Sequence, residues 1–246
     1  MRKLASASIT ALVLAASGGT VAAQDYAIAS LIGSQFSVAY TGSVTGTRIP
    51  EGIPAVPVTE PVFDEAALES VASVLRRAGP QGKLVRLTIS DAAIVESART
   101  APSPNTRAFN AIVEPLAAAA RAHSAARLVL VMPYRDDVMV LTNHHSRGIG
   151  KAAGIGAYFD PAVSLGQVRM AHDNGYLGVF ANFRIVVIDT QSGRMTATDT
   201  VAKGHAYFLS GSPDPYRFDA VPAKDRVAKI VDLVRSGIEE RLPTVL

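Results

Sequence analysis

FRIVVIDTQSGRMTATDTVAKG, residues 183–204, decides how this chain folds. Ile185, Val186, Val187 and Ile188 put apolar, β-branched side chains on both sides of an extended backbone. That pattern predicts a strand covered on both faces. Thr190, Gln191, Ser192 and Gly193 supply a tight turn, with Gly193 free to adopt a positive φ. From Arg194 to Val201 the chain alternates more loosely: Thr196, Thr198 and Thr200 share one face, and Met195, Ala197, Asp199 and Val201 the other. The return strand therefore belongs nearer an edge. The hairpin is a scaffold signal and carries no chemistry.

Working outward, the preceding chain alternates strands with helices. Tyr26 to Tyr40 is mostly apolar and reads as two short strands, or one bulged strand, interrupted at Gly33. Gly42 to Pro61 reads as an extended loop. Asp64 to Ala78 predicts a helix with Asp64 as N-cap; Leu68, Val71, Ala72 and Leu75 recur at the spacing of one buried face, and Gly79-Pro80 stops it. Lys83 to Ser90 alternates as a strand, and Asp91 is placed to cap a short helix. A second long helix spans Asn105 to Ser124, with Pro115 predicting a kink or break. Arg127 to Pro133 is a short unbroken apolar run suited to a central strand. Strand–helix–strand crossovers favour parallel pairing. A last helix runs from about Pro222 to Arg241, with Gly237 weakening it by about 1 kcal/mol relative to Ala. The expectation is an α/β fold: a mixed sheet, parallel in its first half, antiparallel in its second, with helices packed on it.

At the amino terminus, Arg2 and Lys3 precede an apolar segment from Leu4 to Ala16, and Val21-Ala22-Ala23 matches a signal-cleavage pattern. The apolar run is short for a bilayer span, which needs ~20 residues. Residues 1–23 are therefore expected to be a signal peptide, with Gln24 opening a mature single domain, 24–246, that resides in the periplasm or is secreted. The chain contains no cysteine, which excludes disulfides and a lipid-modified cysteine. Losing Arg2 and Lys3 takes the 24 basic residues to 22 against 21 acidic ones, and no basic stripe exists, so nucleic acid is not an expected partner.

The stretches Arg127 to Tyr134 and Ile185 to Ala197, the second with its Asp-x-x-Ser-Gly turn, resemble small α/β domains of bacterial envelope proteins. These are the curli-secretion channel lipoprotein, the lipoprotein activators of penicillin-binding proteins, and the amino-terminal domain of the Tol translocation β-propeller protein. The resemblance implies a non-catalytic domain that binds another envelope component. It transfers no active-site residue. This chain departs from that pattern in lacking the lipid-bearing cysteine and a propeller, and in carrying a long segment, 143–175.

Two stretches carry residue types suited to chemistry. Asp136, Asp137, His144 and His145 are metal-ligand types, and His serves as a general base. However, an intervening five-residue strand would hold the two pairs roughly 17 Å apart, and adjacent histidines in a strand face opposite ways. Polar turn residues are the simpler reading. Gly148 to Gly156, GIGKAAGIG, contains a G-x-G-x-x-A pattern with Asp173 downstream. Nucleotide binding requires a strand directly before those glycines and a helix directly after. His144 to Arg147 intervene on one side and Pro161 spoils a helix on the other, so no cofactor is expected. Gly-x-Ser-x-Gly does not occur.

The glycine-rich segment 143–175 is instead expected to be a loop-like excursion that binds a partner through Arg147, Ile149, Ile155, Tyr158 and Phe159. The leading expectation is an exported, non-catalytic envelope binding protein. The alternative is a periplasmic hydrolase or metal-dependent enzyme built on the Asp136, Asp137, His144, His145 cluster.

Overall fold

The computed structural model describes residues 24–33, 35–40, 55–57, 61–79, 81–141, 146–160, 173–210 and 221–246. The deciding stretch is central, as its composition demands. Strand β8 (Asp173–Asp189) and strand β9 (Arg194–Ser210) form one long antiparallel hairpin. Phe183 and Ile185 point into one apolar core; Val186 and Ile188 point into a second core on the opposite face. The connecting turn is held by Asp189, whose Oδ1 accepts from the Ser192 N–H at 2.8 Å and the Ser192 hydroxyl at 2.7 Å. Gly193 adopts φ +66°, the conformation expected of it.

Along its other edge β8 is paired twice in succession. Its first half, to Asn182, lies antiparallel to β7 (Ser146–Asp160); its second half, from Phe183, lies antiparallel to β5 (Arg127–Pro133). Beyond β5 come β1 (Gln24–Ser30) and β4 (Gln81–Arg86), both parallel, as the helical crossovers required. Beyond β7 come β2 (Gln35–Tyr40), parallel to it, and the short β3 (Ala55–Pro57). Strand β6 (Arg135–Leu141) pairs with the first half of β7. Among the described residues β9 pairs with β8 alone.

Helices cover both faces. Helices α1 (Val62–Ala78) and α4 (Ala223–Arg241) pack over the core containing Ile28, Val129, Phe183 and Ile185. Helices α2 (Ala92–Arg99) and α3 (Arg107–Ala122) pack over Leu128, Leu130, Val186 and Ile188. The mixed α/β architecture is thus the one expected, and Asp91 caps α2 by accepting from the Ala93 N–H at 2.8 Å. None of the described helices is long and apolar enough to cross a membrane.

Several local expectations are corrected. Asp64 does not cap α1, which starts two residues earlier. Its carboxylate instead accepts from the Ser30 hydroxyl at 2.5 Å and the Gly33 N–H at 3.1 Å, fastening the end of β1 to the helix. Helix α3 runs through Pro115 without ending, because that residue is on the exposed side and only one backbone donor is lost there. Within Gly42 to Pro61, strand β3 interrupts the expected loop. Gly237 is not merely a weak point of α4. A Cβ there would lie 2.5 Å from Val201 Cγ1 and 3.1 Å from Phe183 Cζ, so glycine lets the helix settle on β8 and β9.

The largest correction concerns the glycine-rich segment. Residues 146–160 are strand, and 173–175 open β8; residues 142–145 and 161–172 lie outside the described residues. Gly156 sits opposite Phe180, and Gly178 opposite Tyr158, across the β7–β8 pair. A Cβ on Gly156 would lie 2.6 Å from Phe180 Cζ, and one on Gly178 would overlap the Tyr158 ring. Gly156 and Gly178 leave room for the aromatic rings of the neighbouring strand. Gly150 and Gly154 instead adopt positive φ, +128° and +73°, the conformation that favours glycine.

Candidate functional site

The residues expected to form sites are distributed as follows. Asp136 and Asp137 open β6, partly buried and exposed respectively, and the Asp137 N–H turns back onto Asp136 Oδ1 at 2.8 Å. His144 and His145 lie outside the described residues. Among the described residues no three His, Cys, Asp or Glu side chains gather as metal ligands. Of the expected partner-binding residues, Ile155 and Tyr158 are wholly buried. Their side chains pack the interior. Arg147, Ile149 and Phe159 fall in the same strand, β7.

A surface recess occurs elsewhere. It is a groove of about 860 Å³ between the first half of α3 and the turn of the β8–β9 hairpin. Phe109, Val113 and Met195 form its floor; Asn105, Asn110, Glu114 and Arg194 stand along its rim. The amphipathic spacing of α3 produces this arrangement. Phe109, Ile112, Val113 and Leu116 face the sheet, which turns Asn110 and Glu114 outward. Thr106 fixes the start of the helix by accepting from the Phe109 N–H at 3.2 Å. Asn105 just before it is held at φ +62°, an uncommon conformation for a residue with a side chain, though one that Asn tolerates.

Both walls of the groove are tied together. Arg121, near the end of α3, donates to the carbonyls of Thr190 at 2.9 Å and Gln191 at 3.2 Å. The Thr190 hydroxyl donates to the Ala125 carbonyl at 2.6 Å. Hydrogen bonds from the Ser192 backbone and side chain hold the Asp189 carboxyl below the usual carboxylate range, so it stays ionised beside the recess. The groove thus offers two amides, carboxylates and a guanidinium above an apolar floor. It is suited to a polar ligand held by hydrogen bonds. Sequence reading missed it because its residues are scattered between 105 and 196 and form no motif.

A second polar feature lies inside β8. Asn182 is fully buried, and its Nδ2 donates to the carbonyls of Asp136 and Ala152, each at 3.0 Å. It pins the β6–β7 hairpin onto the face of β8. Arg184, two residues further along the same face, is 5% exposed, with its guanidinium carbon 4.4 Å from the centre of the Tyr134 ring. The sequence signal was present in retrospect: Asn182 and Arg184 are polar at alternate positions of an otherwise apolar strand.

No protein-family model matches the chain, and no curated protein matches it. Solved structures similar to it include the PelC dodecamer from Paraburkholderia phytofirmans, 12% identical, with a TM-score of 0.28 and coverage of 88% of this chain and 86% of that one. Another is the hypothetical protein CT253 from Chlamydia trachomatis, 15% identical, with a TM-score of 0.30 and coverage of 88% of this chain and 98% of that one. These are loose likenesses, and no functional argument rests on them.

Proposed function

We propose that the protein is an exported, non-catalytic binding protein that engages another component of the cell envelope, and that the α3–hairpin groove is where it does so. The observation that carries this reading is the groove itself: a polar recess whose two walls are cross-tied by Arg121 and Thr190. A preformed recess binds without a large ordering cost. The leader-like start of the sequence supports export. Segment 147–159 enters the reading chiefly as scaffold, with Arg147 as a second position from which a partner is to be sought.

The test is site-directed photocrosslinking in intact cells. A photoreactive residue replaces Asn110 in the groove, Arg147 on β7, or Arg77 on the exposed side of α1, and the products are identified by mass spectrometry. The groove position should yield a discrete envelope-derived adduct that the Arg77 position does not. An adduct at Arg147 alone would move the binding surface to β7. Equal labelling at all three positions, or none at the groove and none at Arg147, would defeat the proposal.

A further inference from the structure

Arg184 occupies a seam. On the same face of β8, Val186 and Ile188 are covered by α2 and α3, while Asn182 is covered by the β6–β7 hairpin. Arg184 falls between these two covers. Taking a guanidinium out of water is costly unless charge and hydrogen bonds compensate for it. The compensation seen here is partial. Tyr134 stacks on the guanidinium, and the Pro102 carbonyl accepts from its Nη1 at a long 3.4 Å. Among the described residues no carboxylate forms an ion pair with it. Burial accordingly lowers its proton affinity, with Tyr134 alone opposing that shift.

Two further groups bear on the seam. Arg99, three residues before Pro102, pairs through its Nη1 with Glu96 at 2.6 Å and keeps only its buried Nε without a hydrogen-bond partner, so it leaves Arg184 as the cation without a carboxylate. Thr200 lies directly across from Arg184 on β9, so its side chain shares that face. The guanidinium and the Tyr134 ring are in contact, the register places Thr200 on the same face, and among the described residues no carboxylate pairs with Arg184. A guanidinium fork matches the two oxygens of a carboxylate or phosphate.

We propose that Arg184, with Tyr134 and Thr200, forms an oxyanion-binding site that takes the carboxylate or phosphate group of a ligand entering at the seam. The site is independent of the groove and of the binding reading above.

The test follows the side-chain Nε–H resonance of Arg184 in isotope-labelled protein, assigned by its disappearance in Arg184→Lys. Inorganic phosphate and sodium acetate are titrated separately at constant ionic strength, up to roughly 50 mM, where a site with Kd of about 1 mM is saturated. The expected result is a saturable shift with at least one anion, weakened several-fold in Tyr134→Phe and in Thr200→Val. A response to acetate alone assigns a carboxylate ligand; a response to phosphate alone assigns a phosphate ligand. Thermal melting provides a second readout: the effective anion should raise the melting temperature of the parent and not that of Arg184→Met. Should Arg184→Met fail to fold, Tyr134→Phe and Thr200→Val carry the comparison. A resonance unmoved by both anions overturns the proposal and leaves Arg184 a structural cation paired within the chain.

Discussion

Gly178→Ala tests the explanation of the glycine-rich strands. Tyr158 is wholly buried, and its ring occupies the space that a methyl on Gly178 would enter. Overpacking of this kind costs about 1–3 kcal/mol. At about 2–4 °C per kcal/mol for a chain of this size, melting should fall by roughly 2–12 °C. Several ring atoms are overlapped at once, so the ring must swing away, and the upper part of that range is expected. Tyr158→Ala alone should cost about 3–5 kcal/mol, as for other large aromatics. The decisive quantity is the coupling between them. With the ring gone, the added methyl loses its nearest clashes, so the double variant should match Tyr158→Ala within about 0.5 kcal/mol. Urea unfolding of the four proteins gives the cycle. Additive losses would refute the reasoning: the glycine would then be required for its backbone and not for the ring.

Other expectations follow from the same contacts. Gly237→Ala should lower stability, although helix propensity alone would raise it by about 1 kcal/mol, because the methyl meets Val201 and Phe183; a melting temperature above the parent's would contradict the close approach of α4. Ser30→Ala removes the donor to Asp64 and should cost about 1.5–3 kcal/mol by urea unfolding, the range for hydrogen bonds to a charged group; an unchanged midpoint would show that the β1–α1 fastening is idle. Burial, and secondarily Lys229, lower the proton affinity of His205 below its ordinary value of 6.5. The unfolded chain therefore binds the proton more readily, and stability should fall as pH drops below about 6.5 towards the folded-state value, levelling below it. His205→Gln should flatten that part of the pH–stability profile, and an unaltered slope would count against the assignment.

Much of the architecture was legible because hydrophobic period and burial are coupled so directly. Two-sided apolar runs at Ile185–Ile188 and Leu128–Met132 marked central strands, and the intervening helical periods required parallel crossovers. Asp91 and Gly193 could be read from local chemistry alone. The errors arose where tertiary contact overrode local pattern. Asp64 has the right identity for a cap, but the carboxylate is drawn to Ser30 and Gly33, more than thirty positions away. Residues 146–160 look permissive because glycine is usually read by its own flexibility, yet Gly156 reports the size of its neighbour Phe180. The candidate sites were the least legible. Ile155 and Tyr158 looked available to a partner because nothing local signals that an apolar side chain of a glycine-rich segment is inside. The groove and the Arg184 seam each join residues from distant elements, and only pairing register brings them together.

The double pairing of β8 has a consequence for how the chain tolerates change. One strand sets the phase for two half-sheets, β7-side to Asn182 and β5-side from Phe183, while β9 runs beside both. Inserting a single residue at that junction cannot be absorbed by either half separately. It would turn one half over relative to the other, exchanging its core-facing and outward-facing side chains. The turn at Gln191 and Ser192 lies beyond that constraint, since added length there leaves both phases intact. Length variation in this protein should therefore be far more costly to folding at the middle of β8 than at the tip of its hairpin.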